Sequence, residues 1–402
     1  MAPWQPPLLF GLIGNDHKDK ERTVTDSITP FELSIPQAQL DDLKTRLSLT
    51  RWPEKETVDD WSQGAPLAAV KALCDYWQNT YDWRRCEQRL NKLGQFKTTI
   101  DGLEIHFLHI RSKHENALPM VMTHGWPGSV IEFLNAIDPL TNPEAHGGKA
   151  EDAFHLVIPS LPGFGFSEQP KETGWGIHRI ARAWTTLMNR LGYEGFVAQG
   201  GDWGAGVTTA LGNQKPDGLK AIHLNMPLVQ PQPEDMADLT PAEQAALGSM
   251  QFYQDWDSGY SKQQATRPQT LGYGLVDSPV GQAAWIYEKF YAWTDNGGKP
   301  EDALSYDQML DNIMLYWLPG NGASSGRLYW ESFKDMFTEP MDIPVGVSIF
   351  PREIFRPSKR WAERVYKNLI HWNETDKGGH FAAFEQPERF VNEVRTCFRH
   401  IR

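Results

Sequence analysis

Three short apolar runs of this 402-residue chain each end in a glycine-rich turn, and this repetition restricts the folds that the sequence can adopt. The runs cover Pro119–Thr123, Phe154–Pro159 and Phe196–Ala198, and helix-like segments follow the second and third. Short strands that alternate with helices predict a mostly parallel sheet with crossover helices. Ligands bind such sheets at the carboxyl ends of the strands, so we expect the three turns to share one site.

The segment before these runs predicts helices and a hairpin. Leucines at helical spacing predict an amphipathic helix that Pro36 opens at its first position. The run PLAAVKALCDYWQ predicts a second helix over Pro66–Gln78. Two β-rich runs within Phe96–Ile110 flank Asp101-Gly102, a dipeptide that is typical of hairpin turns.

The strand pattern stops over about 231–330, where helix signals follow one another. Two capping boxes and one Ser-Pro helix start mark helices that begin near Thr240, Ser278 and Ser305. This stretch therefore predicts an inserted helical domain.

The sheet pattern resumes after this insertion. Val345–Phe350 predicts another strand, and Lys359–Lys367 predicts a helix. The turn Gly378-Gly-His380-Phe381 then precedes a last helix from about Pro387. The sequence thus predicts one α/β core that a helical insertion interrupts.

Charge and composition exclude several classes of partner. The formal net charge is −12, whereas nucleic acids and anionic membranes attract basic surfaces. Three cysteines without metal-type spacing argue against a disulfide scaffold or a zinc site, and we expect an intracellular protein with reduced thiols. No apolar run reaches the length of a membrane span, and we expect residues 1–27 to form a loose tail.

The turn Gly200-Gly-Asp-Trp-Gly204 carries the central chemical signal. Small residues flank a central residue at a sharp strand-to-helix turn, the pattern of a nucleophile elbow. The central residue is Asp202 rather than Ser or Cys. A carboxylate that displaces a leaving group at an sp3 carbon forms an ester, which water can cleave at its carbonyl. Epoxides and alkyl halides are therefore the substrates that this elbow indicates.

A base and an orienting acid follow Asp202 in the chain. His380 lies late in the sequence, after the last predicted strand, which matches the order nucleophile, acid, histidine of this sheet class. Glu353 follows the strand Val345–Phe350 and is the expected acid. From the residues alone, Asp342 and Asp376 compete with it.

Two tryptophans are candidates for an oxyanion hole. Trp126 lies in the turn His124-Gly-Trp-Pro, and Trp203 directly follows the predicted nucleophile. The backbone N–H groups at these two positions would stabilise the negative charge of a tetrahedral intermediate. We expect His124 to order its own loop.

Five motifs together give the chain a specific resemblance. It resembles epoxide hydrolases of the microsomal type, within the α/β-hydrolase superfamily, through His124-Gly-Trp-Pro-Gly-Ser129, Ser160-Leu-Pro-Gly-Phe-Gly-Phe-Ser167, Gly200-Gly-Asp-Trp-Gly204, Phe350-Pro-Arg-Glu353 and Gly378-Gly-His-Phe381. The resemblance implies an α/β-hydrolase fold with helices on both faces of the sheet. It also implies a domain order of tail (1–27), N-terminal extension (28–112), first core part (113–230), helical lid (231–334) and second core part (335–402).

The resemblance also implies roles for individual residues. Asp202 becomes the nucleophile, Glu353 the acid and His380 the base, and two lid tyrosines hold the epoxide oxygen. Tyr260 and Tyr329 match those tyrosines; the rivals are Tyr316, Tyr273 and Tyr253. No cofactor and no metal are implied, and the expected partners are an apolar epoxide, water and a second copy of the chain.

The family resemblance leaves alternatives open. A haloalkane dehalogenase would use the same Asp nucleophile, but its first oxyanion turn often carries Asn where this chain has Trp126. A catalytically inactive binding protein of the same fold would usually lack one catalytic residue. The 16 tryptophans of the chain indicate an apolar pocket. The tryptophans of the predicted lid favour aryl or bulky alkyl epoxides. Because the chain lacks the membrane anchor of microsomal relatives, it is similar to soluble microbial members, and we expect a cytoplasmic enzyme of detoxification or aromatic catabolism.

Overall fold

A computed structural model describes residues 27–335 and 339–402. Its strands form one nine-stranded sheet with the order β1-β2-β3-β5-β4-β6-β7-β8-β9. The strand bounds are β1 Thr29–Pro30, β2 Gln95–Ile100, β3 Leu103–Ile110, β4 Leu118–Thr123, β5 Phe154–Pro159, β6 Phe196–Gly200, β7 Leu219–Leu224, β8 Met341–Ile349 and β9 Tyr366–Glu374. The predicted tail over 1–27 lies, apart from Ser27, outside the described residues.

Most neighbouring strands of the sheet are parallel. Strands β4 to β9 pair in parallel, whereas β1, β2 and β3 pair antiparallel and join the sheet through β5. Strand β5 is buried along its whole length, as expected for an inner strand of a sheet that helices cover on both faces. The hairpin between β2 and β3 turns at Asp101-Gly102, where Ile100 pairs with Leu103. Both the mostly parallel sheet and this turn confirm the sequence prediction.

Helices cover the sheet and form the insertion. Their bounds are α1 Gln37–Ser48, α2 Leu67–Asn79, α3 Trp83–Asn91, α4 Leu134–Thr141, α5 Ile177–Arg190, α6 Trp203–Gln214, α7 Pro241–Phe252, α8 Gly259–Thr266, α9 Pro268–Asp277, α10 Pro279–Trp293, α11 Tyr306–Trp317, α12 Ser324–Ser332, α13 Lys359–Val365, α14 Ala382–Glu385 and α15 Pro387–Phe398. Within the described ranges, no helix combines the length and apolar character needed to cross a bilayer.

The insertion between β7 and β8 is helical, and we call it the lid. It contains α7 to α12 and a π-helical turn, Tyr253–Asp257. The predicted capping boxes at Thr240 and Ser305 are present, with reciprocal hydrogen bonds at the starts of α7 and α11. These caps satisfy N–H groups that would otherwise lack partners at the helix starts.

The segment before the sheet packs against the lid. Tyr81 Oη donates a 2.7 Å hydrogen bond to Oδ1 of Asp311 on α11, and Arg85 pairs with the same carboxylate at 2.8 Å. Burial raises the pKa of Asp311, an effect that the Tyr81 and Arg85 contacts oppose. These contacts tie the N-terminal extension to the helices above the core.

One prediction near the C-terminus was wrong in its extent. The helix predicted over Lys359–Lys367 ends at Val365, and Tyr366–Glu374 continues as β9, parallel to β8. Strand β9 is the edge of the sheet, and its side chains are mostly half-buried or exposed. Its polar and apolar residues are therefore mixed, and the continuous apolar run that indicates a buried strand is missing.

Candidate active site

Asp202 lies at the sharp turn between β6 and α6. Its backbone has φ 50° and ψ −129°, a conformation that costs energy for a residue with a side chain. Glycine is required on both sides, because a Cβ at Gly200 would overlap the Gly204 carbonyl and a Cβ at Gly204 would overlap the Thr123 carbonyl. The flanking glycines thus allow the close packing that holds Asp202 in this sharp turn.

His380 connects Asp202 to Glu353 in one chain of contacts. Its Nδ1 lies 2.6 Å from Oε1 of Glu353, and its Nε2 lies 3.3 Å from Oδ2 of Asp202. All three side chains are buried. Burial lowers the pKa of His380, but the two carboxylates outweigh it and hold the pKa well above 6.5. The two neighbouring carboxylates therefore favour the protonated form of the His380 ring.

The turns after β8 and β9 bring this acid and this histidine together. The backbone N–H of Arg352 donates to the Gly378 carbonyl at 3.1 Å, which joins the two turns. The two competing carboxylates lie elsewhere, because Asp342 pairs with Lys215 and Asp376 pairs with Arg389. Glu353 is thus the carboxylate that His380 contacts.

The turn after β4 supplies a hydrogen bond to the Asp202 carboxylate. The backbone N–H of Trp126 donates to Oδ1 at 2.8 Å. Among the described residues, the Trp203 N–H makes no such bond to Asp202, although Trp203 begins the helix directly after it. His124 orders the same turn, since its Nδ1 lies 2.9 Å from the Gly125 carbonyl and its Nε2 accepts from the Leu161 N–H at 3.2 Å.

Tyr260 on α8 and Tyr329 on α12 face the elbow from the lid. Both are buried, and their rings lie 5.8 Å apart. The Tyr260 ring stacks on the Trp126 ring at 4.9 Å, and the Tyr329 ring meets the Trp203 ring edge to face at 4.7 Å. Burial raises both phenol pKa values well above 10. The lid therefore presents two neutral phenols to the region of the elbow.

The three rival tyrosines have different surroundings. Tyr316 donates a 2.6 Å hydrogen bond to the Gly128 carbonyl, and Tyr273 is 70% exposed. Tyr253 lies next to Tyr260, and the two Oη atoms are 3.0 Å apart. Within the described part of the chain, the buried Oη of Tyr329 makes no hydrogen bond. Tyr329 thus has an unused donor in the site, whereas Tyr316 is already engaged.

An ion pair between buried Lys289 and half-buried Asp257 lies beneath Tyr260 and was not predicted from the sequence. Lys289 Nζ on α10 lies 2.7 Å from Oδ1 of Asp257, and Trp293 Nε1 donates to Oδ2 of the same carboxylate at 2.6 Å. Lys289 Nζ also lies 4.5 Å from the centre of the Tyr260 ring. Asp257 lies in the motif that contains Tyr260, but its partner is on another helix, so no local pattern reveals the pair.

The arrangement of these groups suits nucleophilic chemistry. One oxygen of the Asp202 carboxylate faces an imidazole, and the other accepts a backbone N–H. The rings of Trp126, Trp293 and Tyr260 pack against one another close by. Within 27–335 and 339–402, no three His, Cys, Asp or Glu side chains form a group that could hold a metal ion.

Family models match both parts of this architecture. The model described as epoxide hydrolase N terminus matches residues 28–133, and the model described as alpha/beta hydrolase fold matches residues 119–268. The first covers the extension up to the Trp126 turn, and the second covers the elbow.

Known proteins resemble the chain over nearly its whole length. It is 62% identical to a Stigmatella aurantiaca (strain DW4/3-1) protein named as an epoxide hydrolase, over 93% of this chain and 86% of that protein. It is 36% identical to epoxide hydrolase 1 of Sus scrofa, over 92% and 88% of the two chains. The crystal structure of juvenile hormone epoxide hydrolase from Bombyx mori superposes on this chain with a TM-score of 0.85 at 31% identity. The match covers 95% of this chain and 96% of that structure. The chain therefore belongs to the epoxide hydrolases of the microsomal type and is a hydrolase with the α/β-hydrolase fold.

Proposed function

We propose that this enzyme converts apolar epoxides to vicinal diols through a covalent ester on Asp202. The observation that carries the proposal is the continuous contact from the Trp126 N–H through Asp202 and His380 to Glu353. This chain of contacts contains a nucleophile, a base and an orienting acid, with an oxyanion donor at one end.

In the first step, Asp202 Oδ2 attacks an epoxide carbon. A new C–O bond forms, the epoxide C–O bond breaks, and the epoxide oxygen leaves as an alkoxide. Tyr260 and Tyr329 donate hydrogen bonds to this oxygen and one of them supplies its proton, a role that a neutral phenol can fill. Their raised pKa values keep both phenols protonated near neutral pH.

In the second step, water hydrolyses the ester. His380 Nε2 takes a proton from water, and the water oxygen bonds to Cγ of Asp202. The Trp126 N–H, with the N–H of Trp203, stabilises the resulting oxyanion on Oδ1. When the intermediate collapses, the ester C–O bond breaks and the diol oxygen takes the proton from His380. The Asp202 carboxyl that remains then gives its proton to His380, which restores the carboxylate for the next turnover.

Esterification changes the charge that His380 experiences. The Asp202 carboxylate is one of two anions that raise the pKa of His380, and the ester removes its charge. The pKa of the imidazole then falls. Its proton passes to the tyrosinate that ring opening leaves, which restores the phenol and gives the neutral imidazole that a base requires. Glu353 still holds Nδ1 and stabilises the imidazolium that forms during hydrolysis.

The surroundings of Asp202 support an apolar substrate. The rings of Trp126, Tyr260 and Tyr329 contact one another, and Trp293 packs between Tyr260 and His380 at 5.2 and 5.0 Å. Apolar sites with a few directed polar groups bind apolar ligands well. We propose aryl or bulky alkyl epoxides as the substrate class.

The comparisons favour neither alternative function. A dehalogenase needs donors for a halide, whereas the lid of this chain presents two phenols that suit an epoxide oxygen. A binding protein of this fold would usually lack a catalytic residue, whereas Asp202, Glu353 and His380 are all present and in contact.

Diol formation from racemic styrene oxide tests the proposal, with wild type and Asp202→Ala compared. We expect turnover by wild type and none by the variant, with circular dichroism to verify that the variant folds. Bromide release from a bromoalkane without any epoxide turnover would overturn the proposal in favour of a dehalogenase. Light scattering tests the prediction of a homodimer.

A further inference from the structure

A small cavity lies beside Asp202 and His380. Its volume is about 20 Å³, and its polar lining includes Glu132, Gln199, Asp202, Asn225 and His380. A volume of this size has room for about one water molecule, provided that the walls offer several polar partners. The cavity meets both conditions.

Two buried atoms of this lining lack hydrogen-bond partners. Gln199 Nε2 donates to Asn225 Oδ1 at 2.7 Å, but Gln199 Oε1 and Asn225 Nδ2 make no hydrogen bond within the described part of the chain. Both side chains are almost completely buried. Unpaired buried polar groups are costly, and an internal water commonly satisfies them. The two orphan atoms therefore indicate a water in the cavity.

Glu132 also lines the cavity, and the ester mechanism described above gives its carboxyl no role. It lies in the 3₁₀ turn Val130–Phe133, which Ser129 caps directly after the Trp126 turn. Its carboxyl packs against Gly128 so closely that a Cβ at that position would overlap it. The turn that provides the oxyanion donor thus also directs a carboxyl toward the cavity.

The charge of Glu132 depends on its two neighbours in the cavity wall. Burial raises its pKa to about 8; the His380 imidazolium lowers the pKa and the Asp202 carboxylate raises it. Ester formation removes the Asp202 charge, and proton uptake by His380 adds a positive charge. Both changes favour the Glu132 carboxylate at the time when water is deprotonated.

We propose that this cavity holds the hydrolytic water and that Glu132 accepts a hydrogen bond from it while His380 takes its other proton. The inference rests on the proposed ester mechanism. The water oxygen bonds to Cγ of Asp202, and one proton moves to His380 Nε2. The second O–H remains intact and points to Glu132, so the orientation of the attacking lone pair is set by two acceptors. Collapse breaks the ester C–O bond, and His380 returns its proton to the leaving diol oxygen.

Rapid-quench kinetics of Glu132→Gln separate this role from a structural one. With styrene oxide, mass spectrometry of the intact protein measures ester formation and ester loss as separate rates. We expect ester hydrolysis to slow by at least about 10-fold, while ester formation stays within about 2-fold of wild type. Glu132→Asp shortens the side chain by one methylene and should also slow ester hydrolysis selectively. This variant replaces Glu132→Gln in the test if Glu132→Gln does not fold.

Glu393→Gln is the matched control, because Glu393 is a half-buried carboxylate outside the site that contacts Ser348, His371 and Asn373. The ratio of the ester-formation rate to the ester-hydrolysis rate in Glu393→Gln should equal the ratio in wild type. The inference is overturned if both rates of the Glu132 variants stay within 2-fold of wild type, or if both fall together. Absence of any ester in wild type and in His380→Gln would instead overturn the proposed function, and the inference with it.

Discussion

Oδ1 of Asp202 accepts a 2.8 Å hydrogen bond from the backbone N–H of Trp126. The other oxygen, Oδ2, lies 3.3 Å from Nε2 of His380. The two oxygens of one carboxylate thus have different surroundings. In the proposed mechanism, Oδ1 becomes the oxyanion and Oδ2 attacks the substrate.

Replacement of the base should trap the ester. In His380→Gln, Asp202 keeps its Trp126 contact and can still attack the epoxide, but no imidazole deprotonates the water. We expect steady-state turnover to fall by about 10²- to 10⁴-fold. Intact-protein mass spectrometry after mixing with styrene oxide should show a mass increase equal to one epoxide. An unmodified variant with full loss of turnover would contradict this assignment.

Loss of the orienting acid should change both rate and pH dependence. Burial lowers the pKa of His380 and Glu353 is the first of the groups that raise it, so Glu353→Gln should let the pKa fall. The limb of the kcat profile that His380 governs should therefore move to lower pH, and kcat should fall by about 10²-fold or more. A pH–rate profile of diol formation measures both. An unchanged limb would show that Glu353 does not act through His380.

The two lid phenols should act on ring opening. Tyr260→Phe and Tyr329→Phe each remove a donor that we assign to the epoxide oxygen, so ester formation should slow by about 10²-fold in each. Tyr253→Phe is the matched control, since Tyr253 contacts the Tyr260 hydroxyl, and it should slow the step far less. Stopped-flow tryptophan fluorescence can follow ester formation. An equal loss in all three variants would argue against the assignment.

A carboxylate on α15 that contacts β8 and β9, Glu393, should make stability depend on pH. Burial raises the pKa of Glu393, but hydrogen bonds from His371, Ser348 and Asn373 outweigh it and lower the pKa to about 2. Because the folded pKa is below the ordinary value of 4.5, the stabilisation is present above pH 4.5 and is lost as the pH falls toward 2. Glu393→Gln should cost about 1–3 kcal/mol at pH 7.

Denaturant unfolding of wild type and Glu393→Gln between pH 7 and pH 3 measures this difference. The difference in unfolding free energy between wild type and Glu393→Gln should become smaller as the pH falls. A constant gap would mean that Glu393 contributes through packing rather than through its charge.

Local chemistry explains which features the sequence predicts. The Asp101-Gly102 hairpin, the two lid capping boxes and the elbow glycines each follow from neighbouring residues, because turn and cap geometry depend on a few consecutive side chains. Strand β9 was missed because an edge strand is only partly buried and lacks a continuous apolar run.

Contacts between residues that lie far apart in the sequence could be identified only from the family resemblance or from the structure. Residue types alone left Glu353 in competition with Asp342 and Asp376, and only the fold shows which of them contacts His380. The ion pair of Lys289 with Asp257 joins separate lid elements, and no local pattern reports such a pairing.

Single turnover in heavy-oxygen water tests the ester mechanism most directly. With enzyme in excess over styrene oxide, the new oxygen of the first diol should come from Asp202 and should be unlabelled, while the label enters the Asp202 carboxylate. Mass spectrometry of the diol and of the peptide that contains Asp202 measures both. A fully labelled diol from the first turnover, with no label in Asp202, would show direct attack by water and would contradict the mechanism.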